Sequence, residues 1–309
     1  MENIIYLKNI KNCEEFFTDK SKKIPIFVKK IIFKISSFFK IISKKDIDGF
    51  ELWELPIENV QNDKELIKTI KKLCKYKNCI FVLSKDLNIR KVHKTFETLN
   101  VSYLEPTISK KALLIEALEY VNKIQGNKLD EMDLTILVNN ASNLNMYLIE
   151  KLAHKVKSIK IVSKTIYKFK KLEGKLYNDY GIALQFSNSY RKSLLKSKII
   201  INLDFSQTDI DEYNIDNSAM LINCSCNNIK IKSKLFNGIV ANSYKLKIKN
   251  GSILNEFDDL LIYESKILSK NNISEIFKYI EECKVSITGF VGNNGTITKK
   301  ELKILFSKK

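Results

Sequence analysis

Residues able to do chemistry are sparse in this chain and fall into a few clusters. Cys224 and Cys226 stand two apart, the spacing that turns both thiols to one face of a strand and makes half a metal site or a redox pair. Neither a second cysteine pair nor a histidine follows at ligand spacing, so two buried thiols and no metal site are expected. Cys74 and Cys79 fit no metal knuckle, and His93 and His154 occur alone, with no second histidine or cysteine at ligand spacing. Gly289, Gly292 and Gly295 are a third of the nine glycines, set after an apolar run at 285–288 and before Thr298 and its capping-box partner Glu301. Such a stretch could cradle an anion, but without a following Gly-Lys-Ser/Thr a hairpin built on Asn294-Gly295 is the expected structure. Asp46-Ile-Asp48-Gly49 lacks the downstream Glu of a calcium loop and reads as a turn. The remaining cluster follows an apolar strand: Asn139, Asn140, Ala141, Ser142, Asn143, Leu144 and Asn145, joined by Lys164 and Thr165 behind the next strand. A turn leading from a strand into a helix N-terminus is where a doubly wound sheet takes anionic ligands.

These clusters need elements to hold them. Beyond residue 128 apolar runs and helical periodicities alternate: strand 134–138, helix 144–155, strand 159–162, helix 167–180, strand 182–186, a short helix 190–195, and strands 199–203 and 219–224. Short loops between them imply parallel strands and crossover helices, a doubly wound sheet of the Rossmann kind with strand order 3-2-1-4-5. Upstream, strands at 3–10, 50–57, 78–84 and 101–104 alternate with helices at 63–76, 89–99 and 109–124, which predicts a smaller parallel or mixed sheet. The fold class is therefore α/β. Its expected domains are an N-terminal α/β domain at 1–125, a Rossmann-like domain at 126–250, and a stretch at 251–309 whose helices and Gly-rich turn pack back on the first domain.

With 309 residues, 44% of them hydrophobic, and only 9 Gly and 3 Pro, collagenous and disordered classes are excluded. The formal charge of +18 invites nucleic-acid partners, yet Arg occurs only at Arg90 and Arg191. Arg supplies the planar fork that reads guanine and grips phosphate, so nucleic acid is disfavoured as a partner. Six cysteines and no basic leader before an apolar stretch point to a reduced, cytoplasmic setting. The segment 24–42 is the most apolar, but Lys29, Lys30, Lys34 and Lys40 inside it bar it from spanning a bilayer. Drawn as a helix it is basic and amphipathic, and from Lys20 to Lys45 there are nine lysines and no acid. Such a helix could lie on an anionic membrane surface; because Ile26 and Phe33 fall on its polar side, packing between two protein layers is the favoured expectation.

The helix at 109–124, a hinge, Leu-Thr-Ile-Leu-Val-Asn-Asn from Leu134, Ile-Val-Ser-Lys-Thr from Ile161 and Ser-Lys-Ile-Ile-Ile-Asn from Ser197 together resemble the NADP-binding domain of shikimate dehydrogenase and glutamyl-tRNA reductase. The resemblance covers residues 109–225. It implies that 139–145 would face a pyrophosphate and that Lys164 and Thr165 would meet the 2'-phosphate of NADP. That family's Gly-rich turn is replaced here by Asn139, Asn140, Ala141, Ser142, Asn143 and Leu144, and no counterpart of its catalytic Lys and Asp pair is present. A Cβ at 139, 141 and 144 occupies points where cofactor and helix must approach closely, although Asn tolerates the left-handed turn. The reading that follows is a non-catalytic, degenerate NAD(P)-binding-like protein with a binding or regulatory role and no cofactor. Its candidate contact residues are Asn139, Asn140, Ser142, Asn143, Lys164 and Thr165. Two alternatives stand beside it: an NADP-dependent oxidoreductase with a non-standard phosphate turn, and a peripheral membrane or scaffold protein attached through the basic helix.

Overall fold

Apolar runs bury both faces of a strand, and Ile-Ile-Ile at 199–201 and Met-Leu-Ile at 220–222 are buried throughout in two strands of the larger sheet. In the computed structural model, which describes residues 3–10, 25–39, 42–47, 50–55, 57, 62–76, 78–126, 128–247, 256–268, 270, 272–283 and 285–307, the chain divides into two compact units. The first comprises 1–105 and 252–269, the second 106–251 and 270–309. These limits differ from the expected divisions at 125 and 250. The helical stretch before residue 126 packs within the second unit, on the hairpin and helix near the end of the chain, and only the first of the two late helices joins the first unit.

The first unit holds strands β1 (Asn3–Asn9), β2 (Ser43–Ile47), β3 (Phe50–Leu55) and β4 (Cys79–Leu83) in the order β2-β3-β1-β4. β1 runs parallel to both neighbours, while β2 is antiparallel to β3. Alternation along β1 sends Ile5 and Leu7 into one core, with Trp53, Phe81 and Phe96, and Tyr6 into another, with Val82, Phe257 and Leu261. Residues 101–104 contribute only a single bridge, Phe81 to Tyr103. Helix α1 (Ile26–Phe39) forms inside the expected segment. Its environment corrects the expectation of burial on more than one side: Phe33 and Ser36 are buried, whereas Ile26, Phe27, Val28, Ile31, Ile35, Phe38 and Phe39 are exposed. Ile24 and residues 40 and 41 lie outside the described residues.

The second unit carries β5 (Asp133–Leu137), β6 (Ser158–Val162), β7 (Gln185–Ser187), β8 (Ile199–Asn202), β9 (Met220–Asn223) and β10 (Ile239–Ala241), all parallel, in the order β10-β9-β8-β5-β6-β7. Counted from β5 this is 3-2-1-4-5-6, the expected Rossmann order with a sixth strand added. Helices at Asn143–Ala153 and Lys170–Tyr180 make the first crossovers. The expected helix at 190–195 is instead a set of turns, since only Ser193 and Leu194 are buried there and no helical stripe exists. Strands β11 (Ser243–Lys247), β12 (Ser286–Gly292) and β13 (Gly295–Ile297) form an antiparallel sheet, so the glycine cluster builds a hairpin. Its turn residues are Asn293 and Asn294, with Gly295 at φ 107° opening the return strand. A Cβ on Gly292 would stand 2.9 Å from the Val240 carbonyl oxygen, so glycine there admits β10 to the hairpin. Thr298 and Glu301 then cap the last helix as expected.

Candidate functional site

The strand order reverses between β5 and its two neighbours, β6 and β8, and a doubly wound sheet takes ligands outside the carboxyl ends at such a switch. Three loops meet there: 138–142 after β5, 163–165 after β6 and 203–206 after β8. The pairing of Leu137 with Asn202 continues as Leu203 N–H donates to the Leu137 carbonyl, which brings Asp204 opposite the start of the asparagine turn.

Asp204 closes that turn. Its two carboxylate oxygens accept from the backbone N–H of Asn139 at 2.7 Å and of Asn140 at 2.8 Å. The Asn145 amide, at the first turn of the helix, donates to the same carboxylate at 3.2 Å and to the Asn140 carbonyl at 2.7 Å. Lys111 fixes that amide by donating to its oxygen at 2.9 Å; an ammonium has only donors, so the amide's NH2 must face Asp204. Burial pushes the Asp204 carboxyl above its ordinary range, while the two backbone donors and Lys111 work to hold it charged. No residue of 139–145 takes a positive φ, so no left-handed asparagine makes the turn, which Asp204 holds from the loop after β8. Ser142 caps the helix through Asn145 N–H at 3.3 Å, and Asn143 is its exposed first residue.

Lys164 and Thr165 reach the same edge but are already engaged. The Thr165 hydroxyl donates to the Asn139 carbonyl at 2.8 Å, and the Asn139 side chain accepts from Lys164 N–H at 2.9 Å. The Lys164 ammonium lies 2.7 Å from Asp209 and 2.9 Å from Glu212. Its pKa is raised by hydrogen bonds to those two carboxylates. Asp209 is held in turn by the capping box of Ser206 at the head of the short helix Gln207–Asp211. Two carboxylates therefore stand beside the lysine that the resemblance assigns to a 2'-phosphate.

The other half of the edge is sealed by neutral amides. A one-way relay starts at Phe205 N–H, which donates to Asn202, and runs from Asn202 to Asn223 at 2.9 Å, to Asn242 at 3.0 Å, to Asn293 at 3.0 Å, and into the Ile229 carbonyl at 2.9 Å. Asn202, Asn223 and Asn242 are buried, and such a satisfied network rigidifies the loops it joins. A cavity of about 470 Å³ does occur in this unit, but it opens at the amino ends of β5, β6 and β8, beside Asn122, Lys128 and Lys198, away from the switch point.

Other expected groups are accounted for locally. Cys224 is fully buried, near the Tyr244 hydroxyl at 3.4 Å, whereas Cys226 is exposed; both follow β9 rather than lying in it, so the shared face expected of them is absent. His93 stacks on Tyr103 at 4.7 Å and His154 meets Tyr180 edge-on at 4.4 Å.

No family model matches the chain. No curated protein matches it either. Among solved structures, it is similar to L-tryptophan dehydrogenase from Nostoc punctiforme (11% identity, TM-score 0.37, covering 99% of this chain and 82% of that one). It is also similar to the A chain of dipicolinate synthase from Bacillus subtilis (8% identity, TM-score 0.38, 92% and 97%) and to D-mandelate dehydrogenase from Rhodotorula graminis (8% identity, TM-score 0.33, 73% and 74%). Likeness this distant assigns no activity, substrate or cofactor. The Rossmann assignment rests on the strand order and parallel registers of the second unit.

Proposed function

We propose that the second unit is a non-catalytic, degenerate dinucleotide-type module with a binding or regulatory role, its cofactor cradle occupied by its own side chains. The observation that carries this reading is the Asp204 carboxylate on the N–H groups of Asn139 and Asn140. A pyrophosphate would need those same donors, and a carboxylate in place both blocks them and repels a second anion. Displacing it forfeits charge-assisted hydrogen bonds worth about 1.5 to 3 kcal/mol each. The pairing of Lys164 with Asp209 and Glu212 works in the same direction, because the positive charge that would select NADP over NAD is already compensated. Isothermal titration of the full chain with NADPH and with NADH tests the reading directly. No saturable heat is expected for either cofactor. Low-micromolar NADPH affinity that falls in Lys164→Glu, with NADH unaffected, would replace this proposal with an NADP-dependent oxidoreductase.

A further inference from the structure

Seven large apolar side chains of the fourteen-residue helix α1 are exposed, Phe27 and Phe38 at 72% and Ile26 at 70% among them. At about 100° per residue, Phe27, Phe38, Ile31, Ile35, Val28 and Phe39 share an arc of about 120°. Phe33, only 7% exposed, and the buried Ser36 lie on the opposite side. Exposed Lys30 and Lys34 project together along one margin of the open arc, next to Phe27. The helix therefore turns its small buried face inward and its large apolar face to solvent. No helix among the described residues is long and apolar enough to cross a membrane.

We infer that α1 is a membrane-surface anchor that inserts Phe27, Ile31, Ile35 and Phe38 between the headgroups of an anionic bilayer. Charge selects this occupant. The helix contains three lysines and no acid, and the run of nine lysines from Lys20 to Lys45 is likewise unbroken by Asp or Glu. A second copy of this chain docking through the same face would bring two lysine margins together, and like charges in a desolvated contact oppose that pairing. A bilayer of anionic lipid presents the complementary charge with an apolar layer behind it, which is what a basic margin flanking exposed Phe and Ile can engage. The inference is independent of the closed cradle, since it concerns residues of the other unit.

The test uses the full chain with vesicles of phosphatidylcholine alone and with ~30% phosphatidylserine, followed by flotation. Binding is expected to the phosphatidylserine vesicles only and to weaken at ~0.5 M salt. Phe27→Gln with Phe38→Gln, and separately Lys30→Glu with Lys34→Glu, should each reduce the bound fraction about tenfold or more, with unchanged thermal melts. In a Phe27→Trp variant the emission should shift to the blue on anionic vesicles, against the constant signal of the buried Trp53. Absence of binding, or binding that both double variants leave intact, overturns the inference. So does a dimer in light scattering that the phenylalanine variant abolishes while vesicles bind nothing, because the face would then be a self-association surface.

Discussion

The carboxyl edge of the six-stranded sheet and the outer face of the helix Ile26–Phe39 carry opposite imbalances. At the sheet edge, groups that in a dinucleotide fold would await a ligand are answered from within: N–H donors by Asp204, a lysine by two carboxylates, buried amides by one another. On the helix, apolar surface that folding normally removes from water has stayed in it. Position in a fold thus identifies where a ligand could go, and the state of the groups there decides whether one is wanted. On the proposed reading, the edge with the Rossmann address is closed and the segment without one is open.

The comparison breaks most decisively at the amide relay. Asn223 is its centre: its oxygen accepts from Asn202 and from Ser225, and its NH2 donates to Asn242 and to the Asn227 carbonyl. Asn223→Leu keeps the branched shape and strands the buried Asn202 and Asn242, at about 1 to 3 kcal/mol for each group left unsatisfied. A loss of about 3 to 5 kcal/mol in urea unfolding is expected. A loss below about 1 kcal/mol would mean that the loops relax to water and that the edge is not sealed.

Asp204 should have an intermediate effect with a distinctive pH signature. Removing the acceptor of two backbone N–H groups in Asp204→Ala is expected to cost about 1 to 3 kcal/mol at neutral pH. Burial raises the carboxyl above the ordinary 3.8, so the folded state binds a proton more readily than the unfolded chain. This group's stabilising share is therefore complete below the ordinary value and declines as pH climbs through the raised one. Relative to Asp204→Asn, which does not titrate, the native protein should gain stability as the pH is lowered across that window. A stability difference between the two that is flat or rises with pH would show that the hydrogen bonds, not burial, dominate the carboxyl.

How far the sequence reveals this follows from which forces act locally. The strands β5, β6, β8 and β9 are legible as apolar runs such as Ile-Ile-Ile, and the strand expected at 182–186 overlaps β7, while β10, three residues long, is stabilised by a neighbour the local pattern does not name. Strand alternation alone brings the turn 139–145 and the residues Lys164 and Thr165 to one edge, since β5 and β6 are parallel neighbours. Asp204 is invisible until β8 is known to lie beside β5, since its partners are 65 and 64 residues away. The amide relay had a readable signal: Ile-Ile-Asn, Leu-Ile-Asn and Val-Ala-Asn each end an apolar run in asparagine, at Asn202, Asn223 and Asn242. The outward face of α1 had none, because helical periodicity gives the angle between faces but not which one meets protein.

The smallest expected effect sharpens the contrast within that one helix. Phe27 and Phe38 make little buried contact, so replacing both by Gln should leave folding stability within about 0.5 kcal/mol per site, as for surface positions generally. Phe33, buried on the inner side, should cost about 3 kcal/mol when cut to Ala. Three phenylalanines of one helix would then differ in the two measurements in opposite senses: the exposed pair matters to vesicle binding and not to the melt, the buried one to the melt first. If Phe27→Gln with Phe38→Gln instead lowered stability as much as Phe33→Ala, the outer arc would be covered in solution by the chain itself, and the open half of the comparison would close.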